Sequence, residues 1–286
     1  MTDDGGAAPS YSRLVPIEQI DDPADPRIAD YRDLRDAELR RRRGLFIAES
    51  REVVHRLLVE GRFRARSVLV TPPGFDGLRE ILEAAAARMP VLLTRPEIVR
   101  AVAGFNFHRG CLAIGERGGE TTLDEIARPG GPRRLLALEN VTNPDNIGGL
   151  FRNAMAFGVD GVLLSADSGD PLYRKAIRVA IGASLSIPFA RAGDWPHALA
   201  RLRETGYCVI ALTPDAAAID VADFGATRPV PERAALLLGA EGTGLSAATR
   251  SAAHLEVRIR MRPGVDSLNV ATAAGIALHR LSGSAG

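Results

Sequence analysis

Three segments in the second half of the chain combine amide, carboxylate, hydroxyl and guanidinium groups with glycine or proline. The segments are ENVTNPDNIGGLFRN at residues 139–153, GAEGTG at 239–244 and RPGVDSLN at 262–269. Each one follows a stretch rich in apolar residues, as expected for a loop after a buried strand. The side chains in these loops are suited to holding polar ligands and stabilising charge, and less suited to forming a covalent intermediate.

In the first segment, Asn-Pro-Asp-Asn predicts a turn that caps the start of a helix. Asn146 lies on the first helical turn, and Arg152 follows six residues later. An arginine at this position can reach the same cleft as the Asn146 amide. It can equally be an ordinary surface arginine on an amphipathic helix, and this segment alone leaves both interpretations open.

The glycines of the second segment allow a ligand to approach the backbone closely, and Glu241 supplies a carboxylate at the end of the strand. The spacing GxxGxG lacks the Gly-Lys-Ser/Thr of a phosphate loop and reverses the dinucleotide fingerprint, which argues against a dinucleotide-dependent oxidoreductase. In the third segment, Ser267 and Asn269 precede a predicted helix, so each can act as a helix cap or as a ligand group.

Other kinds of site are not predicted. The five histidines are scattered, no nucleophile motif contains one, and no group of acids, histidines and cysteines has metal-ligand spacing. We therefore expect no metal and no hydrolase triad. Cys111 and Cys208 lie far apart in the sequence, and we interpret both as small buried apolar residues.

The elements that must position these loops alternate between strand and helix. In the second half, this pattern predicts a largely parallel sheet with helices on both faces, and ligands then bind at the carboxyl ends of the strands. The predicted strands of this half are Leu135–Glu139, Gly161–Ser165, Tyr207–Leu212, Ala235–Gly239 and Leu255–Met261. The predicted helices are 147–157, 171–182, 195–206 and 268–281.

A chain of 286 residues is expected to form two domains. We predict a small α/β domain over residues 11–115, with a helix from Pro26 to Arg43, a linker over 116–134 and a catalytic domain over 135–282. No apolar run is long enough to span a membrane and no signal peptide is recognisable, so we expect a soluble, cytoplasmic protein.

Charge is distributed unevenly over the first domain although the whole chain has a net charge of only +1. Residues 1–39 hold four arginines against ten acids, whereas residues 40–66 hold nine arginines against three acids. This basic stripe, Arg40–Arg66, can contact nucleic-acid phosphates. It can also be a solvated surface whose arginines pair with neighbouring acids.

The three segments resemble, in order and spacing, the three motifs of the SpoU/TrmH group of SPOUT methyltransferases. The matching stretches are ENVTNPDNIGGLFRNAMAFGVDGVLLS, LLLGAEGTGLS and IRMRPGVDSLNVATAAGIAL, and RVAIGASLSIPFA at 178–190 also resembles the family pattern. The resemblance covers about 150 residues, nearly all of the second domain. It implies methyl transfer from S-adenosylmethionine to a ribose 2′-hydroxyl of RNA, and a fold that contains a deep trefoil knot.

The resemblance also implies roles for individual residues. Arg152 matches the catalytic arginine, which acts either as a base or by electrostatic stabilisation. Asn146 holds this arginine and the substrate, Glu241 orients polar groups, and Ser267 and Asn269 position ribose and phosphate. The residues expected at the cofactor are Thr213, Gly239, Gly242, Ile259, Met261 and Leu268. Where the third motif usually has a proline, this chain has Arg260, which leaves cofactor binding intact but can alter the RNA path.

The first domain resembles, more loosely, the RNA-binding module that precedes the catalytic domain in many of these enzymes. The stretch FIAESREVV at 46–54 is close to the usual opening of that module. From the resemblance we expect an RNA substrate, ribosomal RNA in preference to transfer RNA, and a homodimer whose sites are completed across the interface. The alternatives are a transfer-RNA methyltransferase and a non-catalytic RNA-binding assembly factor with the same fold.

Overall fold

The structure is a computed structural model that describes residues 17–32, 43–60, 62–103, 110–119, 121–131 and 133–282. The chain divides into two compact units between Glu116 and Arg117. The sequence places its domain boundary within 116–134, and the assignment of a separate function to each part stays a prediction. Within the described residues, no helix has both the length and the apolar character needed to cross a bilayer.

The first unit contains a five-stranded mixed sheet in the order β1-β4-β3-β5-β2. Strand β5 is antiparallel to β2 and β3, whereas β4 is parallel to β1 and β3. The strands are β1 (Ile17–Ile20), β2 (Leu45–Glu49), β3 (Ala65–Val70), β4 (Val91–Thr94) and β5 (Cys111–Glu116). The helices are α1 (Arg51–Glu60), α2 (Pro72–Asp76), α3 (Arg79–Ala86) and α4 (Pro96–Ala103).

Strand β1 was not predicted from the sequence, and the helix predicted from Pro26 to Arg43 is described only as far as Arg32. The described part of that helix is a short 3₁₀ segment, Pro26–Tyr31, and residues 33–42 lie outside the described part of the chain. The segment ends at Tyr31 because the backbone of Arg32 is extended. The Tyr31 ring is fully buried, and its hydroxyl forms a 2.8 Å hydrogen bond with Ser67 Oγ.

The basic stripe forms many ion pairs within its own unit. Residues 40–42 and 61 lie outside the described residues; Arg43, Arg51, Arg64 and Arg66 are exposed, whereas Arg56 and Arg62 are partly buried. Four pairs connect the stripe to neighbouring acids: Arg43–Asp30, Arg66–Asp30, Arg56–Glu60 and Arg64–Glu116. Exposed pairs of this kind exchange easily for a phosphate, so they favour a solvated surface without excluding RNA contact.

The second unit contains a seven-stranded sheet in the order β10-β12-β9-β11-β6-β7-β8, and every pairing is parallel. The strands are β6 (Arg134–Glu139), β7 (Gly161–Ser165), β8 (Phe189–Ala192), β9 (Cys208–Leu212), β10 (Ile219–Asp220), β11 (Ala234–Gly239) and β12 (Leu255–Arg258). The prediction of a mostly parallel sheet is confirmed. The sequence missed the short strands β8 and β10, and the trefoil knot stays a prediction.

Seven helices are described in this unit: α5 (Leu123–Ile126), α6 (Pro144–Ala156), α7 (Arg174–Val179), α8 (Ala183–Ser186), α9 (Trp195–Glu204), α10 (Ala247–Ala252) and α11 (Val270–Leu281). Odd-numbered strand residues such as Ala137 and Leu237 pack in one cluster with α5 and α9. Even-numbered residues such as Leu136 and Leu238 are buried equally, so both faces of the sheet are covered.

The helix predicted over 171–182 is shorter than expected, since only α7 lies within that range, and a separate short helix, α8, follows it. The two are separated at Ile181 and Gly182, which both have positive φ, at 50° and 75°, and Gly182 is the N-cap of α8. Glycine adopts this conformation without strain, whereas isoleucine does so at a cost. The tight connection returns the chain toward β8.

Part of the predicted linker is structured and belongs to the second unit. Thr122 caps α5 through a capping box with Glu125, and Ile126 is 2% exposed in the core of the second unit. Arg117 pairs with Asp170 in the loop after β7. The low apolar density between 116 and 134 therefore reflects a short capped helix between surface turns.

Thiol reactivity provides a test of this packing. Cys111 is buried, and burial raises the pKa of its thiol to about 12, whereas Cys208 is half-buried with its pKa also raised by burial. We expect iodoacetamide at pH 8 to modify Cys111 at least tenfold more slowly in the native protein than in denaturant, as measured by peptide mass spectrometry. Equal rates in the two states would show that β5 is not buried as described.

Candidate functional site

A pocket of about 670 Å³ lies at the carboxyl ends of three adjacent parallel strands, β12, β9 and β11. Its walls come from the segments after these strands, so the last two predicted loops meet here. All six residues that the sequence assigns to cofactor binding line it: Thr213, Gly239, Gly242, Ile259, Met261 and Leu268. Glu241 and Ser267 line the pocket as well.

The loop after β11 has a closed shape that depends on glycine. We call residues 239–246 the glycine loop. A Cβ atom on Gly239 would lie 2.2 Å from the Gly244 carbonyl carbon and 2.4 Å from Leu245 N. Gly242 and Gly244 have φ values of 90° and 66°, and the Gly244 N–H donates to the Ala240 carbonyl over 2.9 Å. The loop therefore folds back onto Gly239 and presents main chain to the pocket.

Asn269 links the three motif segments through its side-chain amide. Its Oδ1 accepts from the N–H groups of Ala271 and Thr272 at 3.0 and 3.2 Å, which caps α11. Its Nδ2 donates to Asn146 Oδ1 at 2.8 Å and to Glu241 Oε1 at 2.9 Å. Because two backbone donors fix Oδ1 as the acceptor, the orientation of this amide is determined. One side chain therefore caps α11 and joins the three segments, and its role toward a ligand stays a prediction.

We call the contact of Asn269 with Asn146 and Glu241 the Asn269 junction. Close packing of α6 against α11 brings Asn146 to this junction. Gly149 on α6 faces Ala271 so closely that a Cβ on Gly149 would lie 2.8 Å from the Ala271 Cβ. One helical turn further, Asn153 Nδ2 donates to the Ala271 carbonyl over 2.6 Å. Asn146 itself is 5% exposed, so its amide is held by both packing and hydrogen bonding.

Arg152 is not brought into the pocket wall. It lies on the exposed side of α6, about 120° around the helix from Asn146. Within the described part of the chain, its guanidinium forms no hydrogen bond or ion pair. The sequence therefore groups Asn146, Glu241, Ser267 and Asn269 correctly in space, whereas Arg152 remains available to a molecule that covers this surface.

An ion-pair cluster that the sequence did not single out borders the pocket. Arg250 on α10 donates to Asp215 Oδ2 at 2.9 Å and to both oxygens of Glu256 at 2.7 Å. The Ala217 N–H and the Arg250 guanidinium hold the pKa of Asp215 below its usual value. Both Asp215 and Arg250 line the pocket. No sequence signal marks these residues, because Arg250 is 35 positions from Asp215.

Glu139, like the ion-pair cluster around Arg250, is a candidate functional residue that was not predicted from the sequence. It ends β6, is 6% exposed and accepts hydrogen bonds from the Ser246 backbone and hydroxyl and from the Thr249 hydroxyl. A signal was available, since an acidic residue directly after LLAL is unusual in a buried strand. Among the described residues, no group of acids, histidines and cysteines is arranged to hold a metal ion.

The pocket fits a nucleoside-like ligand that carries positive charge. Its wall combines main chain at the glycine loop with apolar side chains such as Ile259 and Leu268. The charged groups in the wall are Asp215, Glu241, Asp266 and Arg250, so carboxylates outnumber cations. A close backbone approach suits a flat ring and its ribose, and the excess of carboxylates suits a sulfonium or ammonium group.

The fold and the pocket define an α/β protein that binds its ligand with loops at the carboxyl ends of parallel strands. The model of the SpoU rRNA methylase family matches residues 133–279, which include β6 through most of α11. The chain therefore belongs to the SpoU rRNA methylase family, as the three motifs indicate.

Relatives match over both units. An uncharacterized tRNA/rRNA methyltransferase of Mycobacterium tuberculosis is 39% identical over 267 residues, which cover 92% of this chain and 91% of the relative. A 23S rRNA (guanosine-2′-O-)-methyltransferase of Ralstonia nicotianae is 34% identical over 206 residues, 70% of this chain and 80% of that protein. The AdoMet-bound rRNA methyltransferase from Sinorhizobium meliloti has the same fold, with a TM-score of 0.78, 24% identity and coverage of 93% and 97%.

Proposed function

We propose that this protein transfers a methyl group from S-adenosylmethionine to a ribose 2′-hydroxyl of RNA, with ribosomal RNA as the substrate. One observation carries the proposal: all six expected cofactor residues line a single pocket, and Glu241 in its wall is hydrogen-bonded through Asn269 to Asn146. The family match and the relationship to a 23S rRNA 2′-O-methyltransferase support the same chemistry.

In this proposal, S-adenosylmethionine supplies a methyl group bound to a positively charged sulfur. The sulfur departs as a neutral thioether, which is an excellent leaving group. Gly239 and Gly242 contribute main-chain contacts, and Ile259, Met261 and Leu268 contribute apolar surface. Thr213 is 8% exposed just after β9, and its hydroxyl accepts from the N–H of Asp215, which also lines the pocket, at 3.2 Å.

The remaining motif residues act on the RNA. A ribose hydroxyl is too weak an acid to ionise at pH 7, so its proton passes to water during the transfer while a nearby cation stabilises the negative charge that develops on the 2′-oxygen. Arg152 supplies the cation, because its guanidinium is exposed, charged and free of an intramolecular partner among the described residues. Asn146 and Ser267 orient the ribose and phosphate, and Glu241 keeps the Asn269 amide in place.

Arg152 lies outside the pocket wall of its own chain, which favours a site completed by a second copy. We therefore propose a homodimer in which Arg152 reaches the partner's pocket. We further propose that the first unit binds RNA through the exposed arginines of the basic stripe and that the protein acts in the cytoplasm.

Methyl transfer from tritiated S-adenosylmethionine to total RNA tests the proposed function. Label should enter RNA and block alkaline cleavage on its 3′ side, because a methylated 2′-oxygen cannot attack the phosphate. Separate ribosomal and transfer RNA fractions distinguish the two substrates. Absence of transfer to any RNA, combined with RNA binding, would favour a non-catalytic assembly factor.

The Asn269 junction gives a more specific test. Asn269→Asp keeps an oxygen that caps α11 but replaces the donor that faces Asn146 and Glu241 with a second negative charge. We expect the methyl-transfer rate at saturating substrates to fall roughly 10- to 100-fold, because the three segments are no longer joined in register. Thermal unfolding should show that the fold persists. A variant with unchanged rate would mean that this network has no part in catalysis.

A further inference from the structure

Glu139 is a buried carboxylate to which the motif roles above assign nothing. Its backbone lies directly opposite Gly239 in the pairing of β6 with β11. Its side chain accepts three hydrogen bonds: Oε2 from the Ser246 N–H at 2.9 Å, and Oε1 from the hydroxyls of Ser246 and Thr249 at 2.8 Å each. One residue of β6 therefore contacts both ends of the glycine loop.

These contacts close the loop. The loop enters from Gly239, which is held in the sheet beside Glu139, and leaves through Ser246, which is held by the Glu139 side chain. Between these ends, the backbone at Gly244 approaches Gly239 so closely that no Cβ fits. If the anchor at Ser246 were lost, the loop could swing away from Gly239 and widen the pocket.

The surroundings of Glu139 are matched to a charged carboxylate. Thr249, 1% exposed, donates its hydroxyl to Glu139 and accepts from Trp195 Nε1 at 3.0 Å, so its proton is directed at the carboxylate. The Ser246 N–H can only donate. An amide at position 139 would place its own NH₂ group against one of these donors, which makes glutamine a sharp probe of the interaction.

We propose that Glu139 is a positioning residue that holds the glycine loop closed around S-adenosylmethionine by anchoring Ser246 and Thr249. The inference rests on the proposed function, because it names the residue that shapes the proposed cofactor pocket. Glu139 itself is not part of the pocket wall. Glu139 sets the fraction of molecules whose glycine loop is closed. When that fraction decreases, the apparent affinity for the cofactor decreases in the same proportion.

The test is Glu139→Gln in the full-length protein, with S-adenosylmethionine affinity measured by calorimetry and methyl transfer measured at several cofactor concentrations. We expect the Kd and KM for the cofactor to rise roughly 10- to 100-fold, the size found when outer partners of a binding site are removed. At saturating cofactor, kcat should recover to within a few-fold of wild type. This split between KM and kcat is not expected from a role in stability alone.

The matched control is Asp160→Asn, which changes a carboxylate at the opposite end of β6. Asp160 Oδ2 accepts from the backbone N–H groups of Arg133 and Arg134 at 2.8 and 2.9 Å. Loss of the Asp160 carboxylate should lower the unfolding temperature and leave the cofactor Kd unchanged.

Thr249→Val removes one donor to Glu139 without altering the charge, so it should raise the Kd by a smaller factor. Combining it with Glu139→Gln should add little to the effect of Glu139→Gln.

Each outcome decides between the inference and the proposed function. Wild-type protein that neither binds S-adenosylmethionine nor methylates RNA would overturn the proposed function. Wild-type protein that binds the cofactor, together with Glu139→Gln that binds it equally well, would overturn the role of Glu139 alone. If Glu139→Gln does not fold, Thr249→Val decides the matter, and an unchanged Kd in that variant contradicts the inference.

Discussion

Replacing Arg152 with alanine should lower the rate of methyl transfer roughly 100- to 1,000-fold, the size found when one charge-stabilising donor is removed from an active site. The cofactor Kd should stay within a few-fold of wild type, because Arg152 is not part of the pocket wall. Folding should be unaffected, since the side chain is exposed and forms no intramolecular ion pair in the described structure. Single-turnover methylation and calorimetry measure the two quantities separately.

Arg133→Ala is a suitable control, because Arg133 is also an exposed arginine of the second unit but lies at the amino end of β6. It should leave transfer unchanged. Equal loss of cofactor affinity and rate in Arg152→Ala would contradict the catalytic role. Mixing Arg152→Ala with a variant that cannot bind the cofactor tests completion across subunits, because mixed dimers regain activity only if Arg152 acts on the partner's pocket.

The fold of the second unit was largely predictable because its strands are runs of apolar residues separated by glycine, proline and capping residues. The stretch LLLG predicts β11, and it lies in the middle of a parallel sheet, where both faces are buried. The short strands at the edges of the sheet contain no comparable run of apolar residues and were not predicted. Strand β10 has two residues and β8 pairs along one edge only, so their formation depends on neighbours that are distant in the sequence.

The pocket residues were predictable through the resemblance to a known family, and residues that the resemblance does not assign were not. Gly239 and Leu268 lie in segments whose glycine, serine and asparagine content indicates a ligand-binding loop, and the resemblance assigns both of them to the cofactor. Asp215 and Arg250 were not predictable, because the pair forms only when α10 packs beside the end of β9. Likewise, the sequence suggests Asn269 as a helix cap or a ligand group, and only the folded chain shows that the capping side chain also donates to Asn146.

The angular spacing of residues on a helix explains why Arg152 and Asn146, which the sequence suggests share one cleft, do not lie side by side. Six residues correspond to about 600°, so the two side chains leave α6 in different directions even though they are less than two turns apart. The packing of Gly149 against Ala271 places the Asn146 side of α6 beside Asn269 and α11, and that contact joins residues more than 120 positions apart. The sequence indicates the chemistry of both residues but not the surface that each one occupies.

Gly239→Ala should weaken cofactor binding strongly, because the added methyl group has no room beside the glycine loop. The new Cβ would lie 2.2 Å from the Gly244 carbonyl carbon and 2.4 Å from its oxygen, and both are backbone atoms that cannot rotate away. The glycine loop must move as a unit, at a cost of about 1 to 3 kcal/mol to the folded state. We expect the Kd for S-adenosylmethionine to rise at least roughly 100-fold, which corresponds to about 2.7 kcal/mol of lost binding.

Gly193→Ala separates this effect from a general cost of replacing glycine. Gly193 follows β8, has no positive φ, and a Cβ built there would have no neighbour within 4 Å, so the variant should bind the cofactor as wild type does. Calorimetry on both variants, with circular dichroism to show that each is folded, makes the comparison. A folded Gly239→Ala protein with wild-type affinity would mean that the cofactor does not lie against the glycine loop. The pocket at the ends of β9, β11 and β12 would then have to serve another ligand, since its shape depends on the absence of that one side chain.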